Sequence, residues 1–243
     1  IRPMPAPPDL VVIGSLLWDI VGRTAVRLGR GGDVAGRIER RPGGVAMNVA
    51  ATAARFGLRP ALLSAVGQDA DGEGLLAAAE GMGVDTRHVR RLARWPTDRY
   101  MAIEDAGGLL GAIADARTLE AAGAAILAPL SDGTLTERGA GWPGLLVLDG
   151  NLTGAVLDQI ATSGAFASAD LRIIPAGPGK ATRLLGVLRL PNATLYLNRH
   201  EAELLCGTGF DGAGNAALGL LALGAARVLV TDGARPAVDA VAG

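Results

Sequence analysis

The feature that most limits how this chain can fold is a series of short apolar runs spread along its length. Residues 10–14, 60–66, 145–148, 171–174, 193–197 and 226–231 are short, rich in Val, Leu, Ile and Ala, and nearly free of charge. Runs of this kind read as strands buried on both faces. Residues 124–130 look like one more member of the series. Several of the segments between the runs can form helices, and repeated strand–helix units imply a parallel sheet with helices on both faces. With 243 residues, 49% of them hydrophobic, the chain can bury one large α/β core with a small appendage.

Two stretches break the pattern. Residues 21–40 are polar, glycine-rich and basic, and Arg27, Arg30, Arg37 and Arg40 read as solvated charges. Residues 99–104 and 109–115 alternate apolar and polar positions around Asp105-Ala106-Gly107-Gly108, a hairpin turn. An antiparallel hairpin inside a strand–helix chain marks a second, smaller sheet.

Composition excludes some partners. A formal net charge of -1 gives no reason to expect nucleic acid or an acidic membrane surface. Aromatic residues make up 3% of the chain, so platforms for stacking bases are scarce. Cys206 is the single cysteine, which rules out an intrachain disulfide and fits a reducing, cytoplasmic setting. The start is proline-rich with no apolar signal-peptide core, and no apolar run reaches the length of a membrane span.

The chemistry concentrates around residues 41–57. Pro42-Gly43-Gly44 can bend tightly and approach a ligand closely. An Ala-rich helix follows, with Val45, Val49, Thr52, Ala53 and Phe56 at helical spacing on one expected core face and Gly57 as its stop. Asn48 lies one turn inside. Two glycine amides, a helix N-terminus and one carboxamide can thus converge on a polyhydroxylated ligand. A glycine turn before a core helix, with Asn48 merely solvated, accounts for the same residues.

Gly43-Gly44-Val45-Ala46-Met47-Asn48-Val49-Ala50 resembles the first signature of the ribokinase-like (PfkB) carbohydrate and nucleoside kinases, whose Gly-Gly pair and Asn hold sugar hydroxyls. The similarity continues through Arg55-Phe56-Gly57 and Val66-Gly67-Gln68-Asp69-Ala70-Asp71-Gly72-Glu73-Gly74, and runs collinearly over most of the chain. It implies a three-layer α/β/α sandwich with a mostly parallel sheet and a small β-sheet lid drawn from residues 15–40 and 96–116. It also implies ATP and Mg²⁺ as cofactors, a sugar or nucleoside as substrate, and the possibility of a homodimer through the lid. A short match at Ala112-Ile113-Ala114-Asp115 to the pseudouridine kinase branch makes pseudouridine the first choice of substrate.

Site residues follow position by position. Asp19, after the first strand, occupies the family's place for an Asp that accepts vicinal hydroxyls; a strand-end turn is the plainer role. Trp18 beside it could wall the pocket or pack in the core. Asn151, in Asp149-Gly150-Asn151 at a strand end, is a candidate for substrate or phosphate contact. Asn198-Arg199-His200-Glu201 matches the family's Asn-x-x-Glu motif: Glu201 would hold the water shell of Mg²⁺, and Asn198 would orient phosphate or carboxylate. The same pair also fits a helix capping box, and both roles can hold together. His200 reads as a surface residue. Thr231 and Gly233 match the stretch that approaches the nucleotide.

Other motifs fail on context. Gly207-Thr208-Gly209-Phe210-Asp211-Gly212 spells a dinucleotide fingerprint but follows a helix-like segment, which removes a nicotinamide-dependent oxidoreductase. Gly179-Lys180 suggests a P-loop, but Ala181 replaces its Ser/Thr. The family's second signature, Asp-Thr-x-Gly-Ala-Gly-Asp, supplies an anion hole and the Asp that deprotonates the acceptor hydroxyl. Residues 1–243 do not contain it. Asp211-Gly212-Ala213-Gly214-Asn215 lies too close to Glu201 and ends in an amide that cannot act as a base. The expectation is a single domain over 1–243 lacking its C-terminal segment; a naturally shortened protein that binds sugars or nucleosides without catalysis is the alternative.

Overall fold

β1 (Leu10–Ile13) is Leu-Val-Val-Ile with all four side chains buried, as the middle of a parallel sheet requires. The computed structural model describes residues 7–243, so residues 1–6 of the proline-rich start lie outside the described residues. After β1 come β2 (Leu17–Arg23), β3 (Arg37–Gly43), α1 (Val45–Arg55), β4 (Pro60–Leu63), β5 (Ala65–Gly67), α2 (Ala70–Gly81), β6 (Arg90–Leu92), β7 (Arg99–Asp105), β8 (Gly108–Asp115) and α3 (Arg117–Ala122). The second half holds β9 (Leu145–Asp149), α4 (Gly154–Thr162), β10 (Asp170–Ile174), β11 (Ala193–Asn198), α5 (Arg199–Cys206), α6 (Ala213–Ala222), β12 (Arg227–Asp232) and β13 (Arg235–Val241).

Seven strands form the main sheet in the order β13-β12-β11-β10-β9-β1-β4. All neighbours run parallel except β13, which returns antiparallel to β12 at the edge. Alternate residues of β1 serve opposite cores. Val11 and Ile13 join Leu146, Leu148, Ile173 and Leu195 on the face covered by α4, α5 and α6. Leu10 and Val12 join Leu62, Met47 and Leu75 on the face covered by α1 and α2. Fully burying each Leu or Ile contributes roughly 1.5–3 kcal/mol. Where β10–β12 continue beyond α1 on that second face, Arg172, Tyr196 and Leu229 are half-exposed, and Arg172 donates to the Tyr196 hydroxyl at 2.9 Å.

The small sheet has the order β3-β2-β7-β8, with β2 and β7 parallel and the outer pairs antiparallel. It is tied to α2 through Asp71. The Trp18 indole donates to the Asp71 carbonyl at 2.9 Å, and Arg40 and Arg99 reach the Asp71 carboxylate at 2.5 and 2.6 Å. Arg40 also stacks on the Trp18 ring at 3.9 Å. So Trp18 packs against α2 and not into the pocket, and Arg40 is an ion-paired residue where the sequence suggests a merely solvated one.

Three other expectations are corrected. The buried face of α1 is Ala46, Met47, Ala50 and Ala51, while Phe56 is 83% exposed. Alanines let the helix lie close on the sheet, a preference that a count of large apolar residues misses. Residues 124–130 are not a strand but part of a 3-10 segment, Gly123–Leu130, that contains Pro129, a residue unable to donate to a sheet ladder. The run 60–66 divides at Ser64, whose hydroxyl donates to the Gly14 carbonyl at 2.5 Å; β5 then leaves the main sheet to pair with β6. At the start of α2, Asp69 is the cap, accepting from Gly72 N at 2.7 Å.

Candidate active site

Strands β1, β9, β10, β11 and β12 run parallel, so their carboxyl ends share one edge, where open α/β sheets bind ligands. A cleft of about 260 Å³ opens there between the small sheet and α1. Leu17, Asp19, Gly44, Val45, Asn48, Tyr100, Ala114, Asn151, Ala176 and Lys180 line it. Asp19, Gly44, Asn48 and Asn151, four residues singled out from sequence, therefore meet in one hollow. Gly43 lies directly beside it, paired with Leu17 across β2 and β3.

Asp19, Tyr100 and Ala114 stand in register on β2, β7 and β8, so one face of the small sheet forms a wall of the cleft. The neighbouring Arg41 lies 3.9 Å from the Asp19 carboxylate. Burial pushes the Asp19 carboxyl above the usual range, against the opposing pull of Arg41. The glycine pair makes room. A Cβ on Gly43 would fall on the Asp19 carboxylate, and one on Gly44, whose φ is +98°, would meet the Ser15 carbonyl at 2.5 Å.

The N-terminus of α1 does not face a ligand as the sequence suggests, because the protein occupies its amides. Val45 N donates to Ser15 Oγ at 2.9 Å, Ala46 N to Asp149 Oδ2 at 3.1 Å, and Met47 N to the Ser15 carbonyl at 3.1 Å. Asp149 is fully buried and also accepts from Ser15 N at 2.8 Å and from the Ser15 hydroxyl. Asn48 stays exposed on the open side of the helix, free to point its carboxamide at a bound molecule.

Asn151 is 8% exposed, and its carboxamide is already engaged. Its Nδ2 donates to Ser15 Oγ and Asp149 Oδ1, both at 3.0 Å, and its Oδ1 accepts from Lys180 Nζ at 2.7 Å. Asn151 thus lines the cleft with its carboxamide held by Ser15, Asp149 and Lys180. Lys180, Tyr100, Ser15 and Asp149 are site residues that sequence reasoning did not select. The available signal was that Lys180 is the only lysine in the chain and that Asp149 ends a buried strand.

The second predicted group lies further along the same edge. Asn198 and Thr231 are register partners at the ends of β11 and β12. Gly233, with φ +60°, turns the chain from β12 into β13. Asn198 and Glu201 form the reciprocal capping box of α5: Glu201 N donates to Asn198 Oδ1 and Asn198 N donates to Glu201 Oε2, each at 2.9 Å. His200 is an exposed neighbour of Glu203. These groups do not line the cleft that holds Asp19 and Asn48. Among the described residues no cluster of three or more His, Cys, Asp or Glu could cage a metal ion. One carboxylate with a second oxygen to offer fits a cation held mostly by water and phosphate, not a protein-enclosed one.

A family model described as pfkB family carbohydrate kinase matches residues 7–240. The chain belongs to the PfkB carbohydrate kinase family. The pseudouridine kinase of Escherichia coli K12 is 30% identical over 204 residues, covering 84% of this chain and 62% of that protein. The PfkB chain described here thus spans less than two thirds of that relative. Among solved structures, the ribokinase of Giardia lamblia superposes with a TM-score of 0.80 at 19% identity, covering 96% of this chain and 73% of its own. The Arabidopsis thaliana ribokinase complexed with ribose and ATP gives 0.75 at 21% identity, covering 97% and 75%. These likenesses bear out the ribokinase-like α/β fold with its small second sheet. The glycine fingerprint at 207–212 follows α5, a helix, as its rejection required.

Proposed function

We propose that this PfkB protein transfers the terminal phosphoryl group of ATP to a hydroxyl of a sugar or nucleoside, with pseudouridine the first substrate to test. The observation that carries the reading is the meeting of Asp19 and Asn48 across one cleft at the carboxyl edge of the sheet. The Asp19 carboxylate accepts hydrogen bonds from vicinal hydroxyls, Asn48 both donates and accepts, and Gly43 and Gly44 let the substrate approach the backbone. Asn198, Thr231 and Gly233 take the nucleotide. Glu201 orients water around Mg²⁺, which when bound neutralises charge on the phosphates. Catalysis is then chiefly positioning and charge neutralisation, with the small sheet excluding water. The choice of pseudouridine rests on the similarity to its kinase.

A second copy of the chain would pair through the small sheet. On the face away from Asp19, Ile38, Met101, Ile103 and Ile113 are 78%, 46%, 43% and 65% exposed, a concentration of large apolar side chains unusual for a solvated surface.

The decisive assay incubates full-length protein with ATP, Mg²⁺ and a panel of pseudouridine, uridine, ribose and hexoses. Phosphorylated product from at least one is expected; no turnover of any compound contradicts the proposal.

A further inference from the structure

We infer that Lys180 is the cationic contact for the phosphoryl group as it passes between the two halves of this site. The inference rests on the kinase reading above and adds a residue to it.

Strand order places Lys180 at the seam. Along the sheet edge, β12 and β11 carry Thr231 and Asn198, β9 and β1 lead into Asn151 and Ser15, and β10 lies between the two groups. Lys180 belongs to the 3-10 segment that follows β10, Pro178–Gly186, and its side chain enters the cleft that contains Asp19 and Asn48. A group moving from a nucleotide at β11–β12 to a hydroxyl at Asp19 must pass the end of β10.

Chemistry supports the placement. The ammonium has three donors, and the protein engages one, through Asn151 Oδ1 at 2.7 Å. Among the described residues it forms no ion pair with a carboxylate; its one bond is to a neutral amide. Arg183, one turn on, is occupied otherwise, donating to the Asn151 carbonyl at 3.2 Å and to Glu120 at 3.0 Å. Burial, then Arg183, hold the Lys180 ammonium below the usual lysine range, against the weaker attraction of Glu120, Asp149 and Asp98. A half-buried cation without its own counter-ion is costly, and an arriving phosphoryl group supplies the missing charge.

In the transfer, the acceptor hydroxyl oxygen forms a bond to the terminal phosphorus of the nucleoside triphosphate. The bond from that phosphorus to its bridging oxygen breaks. The nucleoside diphosphate leaves with the electron pair, and the hydroxyl proton is released to solvent. Lys180 remains protonated and offers its two free donors to the non-bridging oxygens.

The test compares a substrate with its own phosphate ester. Full-length protein and the variants Lys180→Gln, Lys180→Met and Lys180→Arg are titrated calorimetrically with pseudouridine and with pseudouridine 5′-phosphate. Gln and Met should weaken the ester by about 10–100-fold, the range of a hydrogen bond to a charged group, and the nucleoside by less than about 3-fold. Arg, which keeps the charge, should retain most of the preference for the ester. Equal weakening of both ligands, or no change in either, overturns the inference while leaving the kinase reading in place. A wild-type protein that binds neither these ligands nor ribose and its 5-phosphate overturns both.

Discussion

Ser15 and Asp149, 134 positions apart, are joined by the Ser15 amide donating to Asp149 Oδ2 at 2.8 Å. That contact fixes the end of β1 against the end of β9. Because the same oxygen accepts Ala46 N and the Ser15 hydroxyl accepts Val45 N, it also seats the first turn of α1. One buried carboxylate thereby sets where Asn48, one turn later, meets the cleft.

Replacing Asp149 by Ala leaves the buried backbone amides of Ser15, Ala46 and Asn151 and the Ser15 hydroxyl without their acceptor. A loss of at least about 3 kcal/mol in unfolding free energy is expected, from charge-assisted bonds of roughly 1.5–3 kcal/mol each. Urea denaturation monitored by circular dichroism measures it. A change within about 0.5 kcal/mol, typical of surface substitutions, would show that the hub is not structural.

Asp98 sits where the chain enters the hairpin of β7 and β8, and accepts the Thr118 and Leu119 amides, at 2.8 and 3.0 Å, where the chain leaves it. Burial pushes its carboxyl up to about 6. A raised acid favours the protonated fold, so its contribution is best at low pH and is lost as pH rises from about 4 through about 6. Two pKa units correspond to about 3 kcal/mol. Stability measured from pH 4 to 7 should therefore fall more steeply in the wild type than in Asp98→Asn. Parallel pH profiles would count against this.

For Asp19, whose carboxyl burial also raises, the consequence is in binding. The ionised form accepts two hydroxyls, so affinity should drop on acidification with a midpoint above that of a solvated Asp. Asp19→Asn should lower affinity about 10–100-fold and abolish that titration, with the fold intact. Calorimetry across pH on both proteins decides it; an unchanged pH profile in the variant would exclude Asp19 as the titrating group.

How far the site was legible follows from what each residue type advertises. Gly43, Gly44 and Asn48 form a local motif, and the family resemblance rather than spacing joined Asp19 to it; Asp19 lies inside β2, not at the end of the first strand. Lys180 was visible only against a P-loop pattern that it does not satisfy; its place in the cleft depends on β10 lying between β9 and β11, a long-range pairing. Asn151 was selected for its position, but the carboxamide's three partners come from segments up to 136 residues away. The helix of 45–55 was legible and its buried face was not, because Ala46, Ala50 and Ala51 carry too little apolar area to outvote Val and Phe in a spacing count.

The apolar face of the small sheet gives a separate expectation. Sedimentation of the wild type should show a dimer, and Ile113→Glu, at a side chain 65% exposed, should shift it to monomer with little loss of folding stability. A monomeric wild type at micromolar concentration would remove the second copy from the account.

The position of a bound polyol tests the central claim most directly. In a crystal structure of the full-length protein with pseudouridine or ribose, two hydroxyls should lie within about 3 Å of the Asp19 carboxylate and the Asn48 carboxamide, hydrogen-bond distance. A ligand bound elsewhere, with the cleft between α1 and the small sheet left to solvent, would contradict it.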